Sequence, residues 1–122
     1  MLRIIYMDDD RRPERNSVFK EKIKRLGYEN TIEICQTVDI DYIASLEIDG
    51  VICHSGMTGY DIVNHFAKKN NWPMLVYSGS VDSTPYLRQS STGRPYFSID
   101  SDYFEKALPE FIDRCQSIKR EA

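Results

Sequence analysis

The chain has 122 residues, a formal net charge of −3 and 41% apolar residues, including five Phe, eight Tyr and one Trp. That length holds one domain, residues 1–122, which would bury roughly 65–70% of its unfolded surface, so neither a second domain nor a disordered body is expected. The acidic balance excludes general nucleic-acid binding. No secretory leader and no apolar run near the roughly 18 residues of a membrane span is visible, so a cytoplasmic protein without membrane contact is expected.

The elements follow in order. Leu2 to Met7 is a short apolar run read as a fully buried strand, and it closes on the acids Asp8, Asp9 and Asp10. Pro13 suits the first turn of a helix, Val18, Phe19, Ile23 and Leu26 recur at helical spacing, and Gly27 stops it. Thr31 to Thr37 reads as a second strand and Val38 to Leu46 as a short helix. Asp49 to His54 is a third strand ending in an imidazole. Gly56 and Gly59 bracket a tight loop, and Tyr60 to Asn70 places Ile62, Val63, Phe66 and Ala67 on one helical face. Pro73 to Tyr77 is a fourth strand leading into Ser78-Gly79-Ser80. From Val81 to Gly93 the periodicity fails, so the fourth helix is expected to be degraded. Arg94 to Ile99 is a fifth strand. Tyr103, Phe104, Ala107, Leu108, Phe111, Ile112, Cys115 and Ile118 then form the clearest helical stripe, with Lys119 to Ala122 a frayed end.

Strand and helix alternate throughout, which implies an α/β fold of three layers, a parallel sheet with helices on both faces. In such a sheet, ligands and chemistry collect at the carboxyl ends of the strands. Asp8, Asp9, Asp10, His54, Ser78 and the segment from Ser98 to Asp100 meet there. Cys35, Cys53 and Cys115 stand far apart and are expected as reduced, buried thiols. Phosphate-loop, dinucleotide-binding and serine-elbow motifs are absent, and no enzymatic activity is expected.

Charge is unevenly spread. Arg11, Arg12, Arg15, Lys20, Lys22, Lys24 and Arg25 crowd the first helix against Glu14 and Glu21, whereas Leu26 to Ala67 carries no Lys or Arg. The plain reading is a solvated face. The functional one is a docking surface for an acidic partner, centred on Arg11, Arg12, Arg15 and Lys22.

Met7-Asp8-Asp9-Asp10, the loop of Gly59 with Tyr60-Asp61, Pro73-Met74-Leu75-Val76-Tyr77-Ser78-Gly79 and the aromatic pair Tyr96-Phe97 together resemble the CheY-like receiver domain of response regulators. The resemblance spans essentially the whole chain. It implies a flavodoxin-like five-stranded sheet of order 2-1-3-4-5. It also implies a Mg²⁺ ion held by Asp8 and Asp9, a phosphoacceptor at the end of the third strand, and Ser78 as the switch hydroxyl. Three departures fall on that site. His54 replaces the phosphoacceptor aspartate, the following loop is shortened, and Ile99, Asp100 and Ser101 stand where the family carries a Lys-Pro pair.

Phosphotransfer in the family needs a carboxylate nucleophile, a hard cation and a lysine, so this chain is expected to do none. The expectation is a phosphorylation-independent pseudo-receiver without a required cofactor, any Mg²⁺ being weakly held. It would act on another signalling protein of a two-component system or through a homodimer. An atypical but active receiver is the first alternative, and a metal-binding regulator using His54 and the acidic cluster the second. For His54 itself four readings stand: a structural partner of Asp8 or Asp9, a transition-metal ligand with Asp9, a phosphorylated side chain, or a pH sensor. Thr58 and Ser78 read as loop hydrogen-bonders, and His65 as exposed surface.

Overall fold

A computed structural model describes residues 2–8, 13–35, 39–78, 87–89 and 95–121, with the backbone alone for 87–89. Five strands are parallel: β1 (Ile4–Met7), β2 (Ile32–Cys35), β3 (Gly50–His54), β4 (Met74–Ser78) and β6 (Pro95–Asp100). They lie in the order β2-β1-β3-β4-β6, the 2-1-3-4-5 arrangement of a flavodoxin-like sheet. A sixth strand, β5 (Leu87–Gln89), pairs antiparallel with β6 at the edge. It lies inside the Val81 to Gly93 segment, where a degraded helix is expected from the sequence; the rest of that segment is outside the described residues.

Side-chain alternation splits the core into two layers. Ile4, Tyr6, Ile52, Leu75, Tyr77, Phe97 and Ile99 point to the face covered by helices α1 (Pro13–Arg25) and α4 (Phe104–Glu121). Ile5, Met7, Val51, Cys53, Met74 and Val76 point to the face covered by α2 (Ile40–Ala44) and α3 (Tyr60–Lys69). The central strands are buried on both faces, which is why they read as continuous apolar runs.

Helix α1 begins at Pro13, as its fixed φ favours, and ends at Gly27 with φ of 85°. There the N–H of Tyr28 reaches the Ile23 carbonyl and that of Gly27 the Lys24 carbonyl, a Schellman closure. Asp39 caps α2 by accepting from the N–H groups of Asp41 and Tyr42, and leaves Ile40 exposed. The last helix continues to Glu121, so the expected fraying from Lys119 is corrected. Lys119 is held at 3.0 Å from Asp49. Among the described residues no helix is long and apolar enough to cross a membrane.

Candidate functional site

β1 and β3 are adjacent in parallel register, Met7 opposite Cys53, so the next residues, Asp8 and His54, emerge together at the carboxyl edge. Alternation puts both on the α1/α4 face. β4 adds Tyr77 opposite His54, and Ser78 one position on. Asp9, Asp10, Arg11 and Arg12 lie outside the described residues.

Asp8 is fully buried. Its two carboxylate oxygens accept from Nε and Nη2 of Arg15, each at 2.7 Å. The geometry is the bidentate fork that suits a planar guanidinium, and such charge-assisted bonds are the strong ones. The hydrogen bond and charge of Asp8 hold the Arg15 guanidinium above its ordinary pKa. Arg15, expected on an external docking surface, therefore points into the molecule, its side chain 17% exposed. The physical reason is position: it sits in the first turn of α1, which packs over the face to which Asp8 points.

Lys22 is also engaged. Its ammonium lies 3.6 Å from Glu105 of α4 and 5.0 Å from the centre of the Phe19 ring. Arg25 meets the same Glu105 at 3.4 Å. Part of the basic character of α1 thus ties α1 to α4, and its exposed remainder includes Lys20 and Lys24.

His54 is half-buried, and its ring stands edge-on to Tyr77 with centres 5.1 Å apart. Its Nδ1 accepts from the backbone N–H of Gly56 at 3.0 Å. That contact uses Nδ1 as an acceptor and holds the ring against the loop that follows β3. A Cβ on residue 56 would lie 3.0 Å from Cε1 of this ring, so the glycine lets the loop close over it.

Beneath these groups lies a pair not singled out from the sequence. The hydroxyls of Tyr6 and Tyr77 hydrogen-bond to each other, and both residues are fully buried. Burial raises both phenols well above the ordinary tyrosine value. Phe19 and Phe104 complete the packing, with ring centres 4.3 Å for Phe19–Tyr77 and 4.8 Å for Phe19–Phe104. Strand parity was the available signal, since Tyr6 shares a face with Asp8, and Tyr77 with the ring it abuts.

Ser78 is buried at the end of β4, while Thr58 and His65 are exposed. Cys53 and Cys115 are buried, whereas Cys35 is half-buried at the sheet edge, which corrects the expectation of three buried thiols. Mg²⁺ takes hard oxygen ligands. Among the described residues of that site, both oxygens of Asp8 face a guanidinium and β3 ends in an imidazole. Among the described residues no three His, Cys, Asp or Glu side chains are grouped to hold a metal. A surface recess of about 530 Å³ lies elsewhere, lined by Arg3, Leu46, Asp49, Trp72 and Lys119 among others, at the amino edge of the sheet.

No protein-family model and no curated protein matches the chain. Solved structures do. A CheY-like response regulator receiver domain protein from Methanospirillum hungatei JF-1 is similar over 100% of both chains, with a TM-score of 0.64 and 17% identity. The response regulator TrrA from Thermotoga maritima, solved with Mg²⁺-BeF, is similar over 94% of this chain and 99% of its own, with a TM-score of 0.58 and 21% identity. TrrA is also solved in complex with the histidine kinase ThkA, and that structure is similar over 94% of this chain and 98% of the other, with a TM-score of 0.57 and 19% identity. A de novo designed Rossmann 2x3 protein reaches a TM-score of 0.58 at 16% identity, over 93% and 90% of the two chains. The likeness establishes a receiver-type fold; the designed neighbour illustrates that such a fold carries no function by itself.

Proposed function

We propose that this chain is a pseudo-receiver, a phosphorylation-independent module of two-component signalling that works by binding another signalling protein. The observation that carries the reading is His54 at the end of β3. In the receiver-type arrangement that position needs a carboxylate nucleophile. The residue present is an imidazole, held by the Gly56 N–H at its Nδ1.

Two further features support it. The neighbouring carboxylate, Asp8, is clamped by Arg15. The segment after β6 begins Ser101-Asp102-Tyr103, a single 3₁₀ turn capped by Asp100, and brings no lysine to hold a phosphoryl product. That TrrA, with the same fold, is solved bound to the kinase ThkA supports a signalling protein as the partner class. The proposal includes no catalytic step.

Incubation with a small acyl phosphate and Mg²⁺, followed by intact-mass measurement, tests it. The expected result is an unchanged mass. A Mg²⁺-dependent gain of one phosphate, lost in Asp9→Asn, would overturn the reading in favour of an active receiver.

A further inference from the structure

We propose that Arg15 is a tethered cation, standing where the receiver-type site would hold a divalent ion, so that the chain neutralises Asp8 by itself. The inference rests on the pseudo-receiver reading and deepens it, because it gives the reason why the site would ignore both metal and phosphodonor.

Three independent features converge on it. First, a buried carboxylate is found either paired or on a metal, because an isolated buried charge is too costly. Asp8 is fully buried, and both its oxygens receive N–H groups at 2.7 Å. Second, the fork is aimed by the backbone. Pro13 opens α1, which places residue 15 in the first turn, above the strand end that Asp8 closes. Third, the hydroxyls of Tyr6 and Tyr77, buried on the same face as Asp8, satisfy each other and need no cation.

A divalent ion approaching Asp8 would have to displace the guanidinium or sit against it. The charge of Arg15 cannot be relieved by deprotonation, and in a poorly solvated pocket the repulsion is weakly screened. The guanidinium is also covalently attached, so its local concentration is fixed whatever the cellular Mg²⁺ level. The site is thereby held in one electrostatic state.

The test compares thermal melting of the full chain as wild type, Arg15→Ala and Arg15→Ala/Asp8→Asn, each with and without Mg²⁺ or Mn²⁺. The wild type is expected to melt at the same temperature with either ion. Arg15→Ala is expected to melt lower and to regain several degrees at roughly 100-fold excess of ion over its Kd, because the ion binds the folded state. The double variant, with no carboxylate to bind, is expected to lose that recovery. A wild type that gains as much as Arg15→Ala overturns the proposal, as does a folded Arg15→Ala indifferent to both ions.

Should Arg15→Ala fail to fold, Arg15→Gln keeps the stem and an N–H donor and serves the same comparison. The wild-type Mn²⁺ titration also decides alone: saturable binding abolished by Asp8→Asn overturns the proposal, and its absence supports it. Ion binding by a wild type that takes no phosphate would sink the tethered cation and leave the pseudo-receiver reading standing. Phosphate uptake would sink that reading whatever the ion titration gives.

Discussion

Asp8 and Asp49 sit at opposite ends of the two adjacent central strands. Asp8 follows β1 at the carboxyl edge, and Asp49 precedes β3 at the amino edge. Each is paired with a cation from a helix on the same face, Arg15 of α1 and Lys119 of α4. The first pair is a bidentate fork with a fully buried carboxylate. The second is a single contact at 3.0 Å, with side chains 36% and 22% exposed. Asp49 has a second, stronger tie, accepting the Arg3 backbone N–H at 2.7 Å while its own N–H reaches the Arg3 carbonyl at 2.7 Å. Both are carboxylate–cation pairs, and they differ in geometry and in access to water. A buried pair is strongly destabilising to break, because the partner left behind is an uncompensated charge. The Lys119–Asp49 pair, partly open to water, lies nearer the exposed limit, where a pair is worth about 0–1 kcal/mol.

Arg15→Ala is the largest break in that comparison. It takes the guanidinium away from both oxygens of a buried carboxylate, so about 3–5 kcal/mol of stability should be lost, measured by urea denaturation at neutral pH without divalent ions. Adding Asp8→Asn should recover part of that loss, since the stranded charge is then removed. A cost below about 1 kcal/mol would mean that water reaches Asp8 and that the two ends do not differ in burial after all.

Alkaline pH probes both ends at once. Tyr6 and Tyr77 lie at the carboxyl edge, both raised by burial above their ordinary 10.0. Cys115, against which a Cβ on Gly50 would press at 2.8 Å, lies nearer the amino edge, its thiol pushed up by burial from 9.0 to about 12. Each folded-state value is raised, so the folded state holds these protons more tightly than the unfolded chain. Their contribution is complete below the unfolded values. It falls from about pH 9 for the thiol and about pH 10 for the phenols, and is lost as pH climbs through the folded values. The slope for each group approaches about 1.4 kcal/mol per pH unit within its window. Denaturation midpoints should therefore be insensitive to these groups near neutrality and drop steeply above about pH 10. Tyr6→Phe should reduce the slope by about one proton. Ultraviolet titration should show two of the eight tyrosines ionising only on unfolding; smooth titration of all eight in the folded protein would contradict a closed hydroxyl pair.

The fold was legible because its signals are local and repeated. Apolar runs bounded by acids, Pro13 and Gly27 mark the first strand and helix within a residue or two, and the same holds through Ser78. The segment after it carried no period because it forms no helix at Leu87–Gln89, where an edge strand pairs with Pro95 to Phe97. The strand-end cluster was legible as a list of residues but not as a set of partners. Charge along the chain made Arg15 one member of a basic helix. Only the packing of α1 over the Tyr6 face tells which turn of that helix meets Asp8. Likewise Tyr6 and Tyr77 are separated by 71 residues, and nothing short of strand register brings their hydroxyls together. Sequence pattern reports which face a residue occupies, whereas pairing across the sheet depends on register and helix position.

The smallest effect sharpens the comparison most, because it isolates burial from pairing. Lys119→Ala removes the cation from Asp49 as Arg15→Ala removes it from Asp8. Asp49 then keeps the Arg3 N–H and its access to water, so it is not stranded. The expected cost is below about 1 kcal/mol at low salt and should vanish near 1 M salt, where exposed charges are screened within about 3 Å. Arg15→Ala, measured in the same two buffers, should lose nearly as much in high salt as in low, since a desolvation cost is not a screening effect. If Lys119→Ala instead proves as costly as Arg15→Ala and as indifferent to salt, then the last turn of α4 is clamped to the sheet by its ion pair. The contrast between the two ends would then lie in ligand geometry and not in exposure to water.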